Sequence, residues 1–229
     1  MLRALGSPAA FLGLLVGFLL AVTVQTYVQA SLARVFGDRP AFRRAFGDRP
    51  TLRRLVDLRR VLDPFGAVAA ALGGLGWGVT PDMPLRSRGR LAVALLTGPF
   101  AVAVLGVLAM VGFVLVGGPR EALPGSGPGT VLDGIDGPAG PMFFFALGME
   151  LLGMAVLALV PLPPLPGWHL LDLASTGSVG WQRAHEYLVE KNLGVLALLV
   201  LLILPLGGSV PLLLNIVDTA VGSLLDLAA

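Results

Sequence analysis

An all-α membrane protein, folded as a polytopic helix bundle, is predicted by three observations. Hydrophobic residues make up 55% of the chain and charged residues only 13%, with a mean hydropathy of +0.85, a balance that water-soluble domains do not keep. Four apolar stretches meet or approach the roughly 20 residues that a helix needs to cross the hydrocarbon core. Arginines are concentrated between those stretches rather than within them.

The first stretch, residues 9–33, is too long for the apolar core of a cleavable signal and is read as a retained first span. Segment 34–60 carries nine arginines and is assigned to the cytoplasm, where basic loops are retained. Within it Phe36-Gly37-Asp38-Arg39-Pro40 recurs ten residues later as Phe46-Gly47-Asp48-Arg49-Pro50. This local duplication is read as a charged collar drawn to anionic lipid headgroups. Residues 65–79 are apolar but short, and they hold Gly66, Gly73, Gly74, Gly76 and Gly78, so they are read as a re-entrant or interfacial piece, with a full span as the lesser alternative. Sidedness agrees: three further arginines in 84–90, with Arg183 and Lys191, share the face of the 34–60 loop only if that piece returns to the side it left.

Spans at 91–117, 142–160 and about 193–216 complete the set of four. The loop between the second and third, 118–141, is dense in glycine and proline and is read as an external, irregular linker with no core of its own. Pro205, Gly207, Gly208 and Pro211 interrupt the last stretch. Beyond them Asn215, Asp218, Thr219, Ser223 and Asp226 recur at three- and four-residue intervals, as an interfacial amphipathic helix or the kinked end of the last span would place them. The chain, 1–229, is read as one membrane domain.

Composition also excludes chemistry. Without cysteine there is no disulfide, thiolate ligand or cysteine nucleophile. A net charge of +2 gives nucleic acid no electrostatic hold, and the basic residues cluster where topology explains them. Fifteen of the 16 basic residues are arginine, a usage suggesting a high-GC bacterial genome and hence a bacterial cytoplasmic membrane. The only histidines are His169 and His185, and His185-Glu186 has no second histidine one turn on. No Gly-rich phosphate loop or Ser-His-Asp set is present.

The end of the first span reads Val24-Gln25-Thr26-Tyr27-Val28-Gln29-Ala30, followed by Gly37-Asp38. This is similar to the H-E-x-x-H-A signature and Gly-Asp step of the site-2 protease family of intramembrane zinc metalloproteases. In the family's order come Leu62-Asp63-Pro64-Phe65-Gly66, resembling its Asp-Pro-x-Gly turn, Gly76-Trp77-Gly78-Val79-Thr80-Pro81, resembling its Gly-Trp hairpin, and Leu96-Thr97-Gly98-Pro99. Val160-Pro161-Leu162-Pro163-Pro164-Leu165-Pro166-Gly167 closely resembles its Leu-Pro-x-Pro-Pro-Leu-Asp-Gly segment. The match extends over residues 20–170. It implies a helical membrane bundle, and it places Gln25 and Gln29 where the family's histidine ligands stand, Thr26 at the general base and Pro166 at the aspartate ligand. Two amides, a hydroxyl and a pyrrolidine ring supply neither a zinc ligand set nor a base. The family's asparagines are replaced by Ala158 and Val102.

Neither catalytic nor metal-binding residues are therefore expected, and no cofactor. Gln25 and Gln29, one helical turn apart, are read as interhelical hydrogen-bonding groups or as contacts to a partner. Tyr27 suits an interface anchor. Asp63 and Pro64 are read as turn-forming. Glu150, an acidic side chain within the third span, is a candidate functional or partner-facing group by its cost in lipid, at least about 2.5 kcal/mol if ionised. Trp168 and His169 complete the candidate partner contacts. The expected function is that of a catalytically inactive site-2-protease-like scaffold that binds other membrane proteins among membrane lipids. The alternatives are an accessory structural subunit of a larger membrane complex and an intramembrane protease with relocated ligands.

Overall fold

A computed structural model describes residues 1–36, 61–134, 137–205 and 210–226, apart from 82, 84, 86 and 176. Most of the arginine-rich loop and its duplication lie outside these residues. Among those described the chain forms nine α-helices and no strand. Three helices are long and apolar enough to cross a membrane: α1 (Pro8–Val35), α3 (Arg88–Leu115) and α5 (Ala139–Leu157). They coincide with the first three expected spans. The protein is an all-α membrane bundle.

Local chemistry starts and stops these helices. The Ser7 hydroxyl accepts from the Ala10 amide and Pro8 occupies the first turn, so α1 begins where the sequence supplies both an N-cap and a preset φ. Its 28 residues rise about 42 Å, more than the hydrocarbon thickness. The central helix is α5, with 67% of its apolar window buried against 44% in α1 and 33% in α3. It packs against both. Close approach depends on glycine: a Cβ at Gly13 would lie 2.5 Å from the Phe143 carbonyl, and one at Gly17 would lie 2.8 Å from Glu150 Cβ. The two glycines are one turn apart on α1, the small-residue spacing that lets membrane helices touch backbone to backbone.

The 65–79 piece, termed the half-span for its length alone, holds one short helix and a returning arm. Helix α2 (Pro64–Gly73) is started by Asp63, whose Oδ1 accepts from the amides of Phe65 and Gly66, and it ends at Gly74 in a positive-φ conformation. Ten residues rise about 15 Å, half a hydrocarbon core. From Leu75 the chain runs back extended, and it meets its own start through an antiparallel bridge between Leu62 and Gly78 and a 2.8 Å bond from the Val79 amide to the Val61 carbonyl. The segment thus returns to the end of the bundle from which it left.

Two expectations are corrected. Residues 193–216 do not form one span: α8 (Leu193–Ile203) stops after 11 residues, and α9 (Leu212–Asp226) is a separate helix of 15. Leu204 is extended, as the ring of Pro205 demands of the residue before it, and Pro205 cannot donate back to the helix. Nor is the Gly/Pro loop free of the core. Its short helix α4 (Pro128–Leu132) buries Pro128, Val131 and Leu132 against the bundle, and Gly125 and Gly129 donate their amides to Asp226 and Asp218 of α9, at 3.0 and 2.8 Å. The polar face of α9 is turned onto this loop, while Leu213, Leu214, Val217, Val221 and Leu225 join the core.

After α5 the proline-rich turn leads into α6 (Pro166–Ala174), then α7 (Val179–His185) and a π-turn at Glu186–Glu190 before α8. The Gly167 amide reaches back to the Ala158 carbonyl at 2.8 Å, and a Cβ there would collide with the carbonyls of Leu159 and Val160. Glycine at 167 is what allows the chain to fold back on the end of α5.

Candidate functional site

Gln25, Thr26 and Gln29 lie in the second half of α1, where the two glutamines meet α3 and Thr26 meets the arm after α2. Gln29 is completely buried and its Nε2 donates to the Leu95 carbonyl of α3 at 2.9 Å. That carbonyl has no donor in its own helix, because the residue four positions on is Pro99, which carries no N–H. Gln29 therefore supplies from α1 the hydrogen bond that α3 lacks. Gly98 makes room for it: a Cβ there would lie 2.8 Å from Gln25 Cγ and 2.9 Å from Gln29 Cδ. Thr26, also buried, donates its hydroxyl to the Val79 carbonyl at 3.2 Å, tying α1 to the returning arm of the half-span.

Gln25 and Pro166, far apart in the chain, line one void together with Gly76, Trp77, Gly78 and Ala158. Its volume is about 10 Å³, room for a single water at most. The Trp77 indole nitrogen and Gln29 Oε1 are buried with no hydrogen-bond partner among the described residues. A divalent cation does not fit this arrangement. Gln29 presents its nitrogen to a carbonyl, the Thr26 hydroxyl is occupied as a donor, and Pro166 has no donor atom. Among the described residues no group of three or more His, Asp or Glu side chains is placed to hold a metal.

The remaining candidate contacts divide by burial. Gln29 and Glu150 present no surface to a partner, both being 0% exposed. Glu150 points into the bundle at the glycine contact between α5 and α1, and neither carboxyl oxygen has a hydrogen-bond partner among the described residues. Tyr27 and His169 are exposed, Gln25 is half-buried and Trp168 is buried. No known family model, curated protein or solved structure matches this chain. Its function is therefore inferred from geometry and from the residues themselves.

Beside the small void, and sharing Gly78 with it, is a pocket of about 320 Å³. Four separate segments build it: Asp63 at the cap of α2, the Gly78–Thr80 arm, the proline-rich turn with α6, and the stretch from His185 into α8. Both histidines of the chain face it. Trp168 stacks on Trp181 at 5.0 Å between ring centroids, and the Trp181 indole donates to Asp172 Oδ1 at 2.7 Å. His169 Nδ1 lies 3.2 Å from the Leu165 carbonyl, which only accepts, so in this contact the nitrogen donates. Thr80 donates to the Pro164 carbonyl at 3.1 Å and holds two walls together. Asp63, Thr80, Asp172, His185 and Asn192 were not singled out by sequence as site residues. For Asp172, His185 and Asn192 the one sequence signal is that polar and aromatic groups concentrate at 168–192, while Asp63 and Thr80 lie within the Asp-Pro-x-Gly-like and Gly-Trp-like segments.

A larger groove of about 520 Å³ lies between α9 and the Gly/Pro loop, with Asp133, Asp218 and Asp226 on its walls. Partial burial pushes the Asp218 carboxyl up from its ordinary value of 3.8, the Gly129 amide opposes that rise, and the charge of Asp133 adds to it. Gly127 and Gly129 leave space for this carboxylate, since a Cβ at either would strike it. The groove fastens α9 to the loop.

Proposed function

We propose that the chain is a site-2-protease-like membrane protein without proteolytic activity, which holds other membrane proteins. One observation carries the reading: Gln25 and Pro166, taken from the two motif segments that would jointly ligand the metal, line the same void. A chance likeness of short motifs gives no reason for that convergence. Support for inactivity comes from the side chains: Pro166 offers no side-chain donor atom, the Thr26 hydroxyl and Gln29 Nε2 are committed to backbone carbonyls, and what remains of Gln25 and Gln29 is amide, a poor zinc ligand. The return of the half-span to its starting end supports a topology in which the arginine-rich loops share the cytoplasmic face of a bacterial inner membrane.

The test is affinity purification of the full chain in mild detergent, with mass spectrometry of the co-purifying proteins and metal analysis of the chain itself. Capture of several different single-span membrane proteins, with no stoichiometric zinc and no cleavage of them, is the expected result. Zinc at one equivalent together with cleavage would overturn the reading, and one fixed partner at constant ratio would replace it with an accessory subunit.

A further inference from the structure

We propose that the larger pocket beside the small void, lined by Asp63 and Asp172, receives a basic side chain, an ammonium or guanidinium group, carried by the membrane protein that this chain holds. The inference rests on the binding role above and names the chemistry of the contact. The pocket is rich in acceptors and poor in donors. Asp63 and Asp172 each spend one carboxyl oxygen on protein, the first on two backbone amides and the second on the Trp181 indole, and the other oxygen of each has no partner among the described residues. Against these stand the Asn192 amide and the imidazoles of His169 and His185, the first with its Nδ1 already placed against the Leu165 carbonyl. Among the described residues no lysine or arginine lines the pocket.

A donor-only cation answers this inventory, because every N–H it brings meets an acceptor and its charge offsets two carboxylates. The carboxylates are also pre-placed. The bonds that pin one oxygen of each leave the other in position before a ligand arrives, so little ordering is lost on binding. Val79, Leu188 and Val195 form apolar wall along which the alkyl stem of lysine or arginine would lie. The pocket opens at the end of the bundle, where the half-span returns, and basic residues flank membrane spans at such a boundary.

The experiment uses the full chain in phosphatidylcholine nanodiscs. The probes are two labelled polyleucine spans of about 20 residues, one ending in a single arginine and one in glutamine at the same place. We expect the arginine-tipped span to bind about tenfold more tightly, the scale of one charge pair at a partly open site. The Asp63→Asn, Asp172→Asn double variant is expected to bind both spans alike, at the glutamine level. Each asparagine keeps the oxygen that accepts the structural bonds, so the variant should fold; if its melting point falls, Asp172→Asn alone, at an exposed position, replaces it. Asp133→Asn, in the other groove, should leave the preference unchanged. Equal binding of the two spans by the unaltered chain, or a preference that survives in the double variant, would overturn the inference and leave the holding role standing. Failure of both spans to bind would overturn both. Loss of the preference when phosphatidylethanolamine is added would assign the pocket to a lipid amine and overturn the partner side chain.

Discussion

Replacing Gln29 by methionine tests the contact that most directly separates a structural role from a remnant of catalysis. Methionine preserves the length and shape of the side chain but leaves the Leu95 carbonyl with neither a helix donor, because of Pro99, nor the Gln29 amide at 2.9 Å. An orphaned buried carbonyl costs about 1–3 kcal/mol, while interhelical hydrogen bonds in membranes average about 0.6 and reach about 1.7. The substitution also removes the buried, unpartnered Gln29 Oε1, which offsets part of the loss. The single variant is thus a blunt instrument. The cycle with Pro99→Ala is sharper, since alanine restores an N–H at the position that should bond Leu95. In that background Gln29→Met leaves no orphan. We expect a coupling of about 1–2 kcal/mol, read from reversible unfolding of the purified protein in mixed micelles for all four members of the cycle. For a chain of this size the coupling corresponds to a few degrees in Tm, at about 2–4 °C per kcal/mol. Additivity within about 0.5 kcal/mol would refute the reasoning, because it would mean that Gln29 and Pro99 act independently.

Gln25→Ala should leave the bundle intact, with Tm unchanged within a few degrees by circular dichroism, since its amide has no hydrogen-bond partner among the described residues; a collapse in expression would show that it belongs to a buried network. Gly17→Val should separate α1 from α5, because even a Cβ would lie 2.8 Å from Glu150 Cβ; a loss of about 1–3 kcal/mol is expected, and an unaltered melting point would refute the close packing. Asp218→Asn tests the groove by pH. With the folded-state carboxyl raised from 3.8, chiefly by desolvation, the folded form binds its proton more tightly than the unfolded form. Stability from this group is therefore complete below the ordinary aspartate value and is lost as pH rises through the folded-state value. The asparagine variant should match the unaltered protein in acid and exceed it near neutrality in thermal melts; a difference independent of pH would contradict this.

The first three spans were legible because they depend on composition alone: about 20 apolar residues make a helix in lipid wherever they sit. The half-span was legible in part: its glycines and the arginines on either side favoured a return but left a full crossing open, and the bridge between Leu62 and Gly78 brings the chain back beside its start. Residues 193–216 show where that logic stops. The prolines were visible, yet apolar length argued for a span, and the extended backbone that Pro205 imposes on Leu204 decided for two helices.

What the sequence determined by itself was the class of the molecule and its membrane helices, because each of these is a local property of residue type and spacing. Only the tertiary structure decided what the polar side chains do. Gln29 serves the Leu95 carbonyl because a proline lies on another helix, Gln25 meets Pro166 across a void, and His169 and His185 share a pocket, none of which has any trace in local spacing. Hydrogen bonds and cavities form between segments distant in the chain. Their partners are therefore chosen by how helices pack, here at glycines 13, 17 and 98, and not by the neighbours each residue has in sequence.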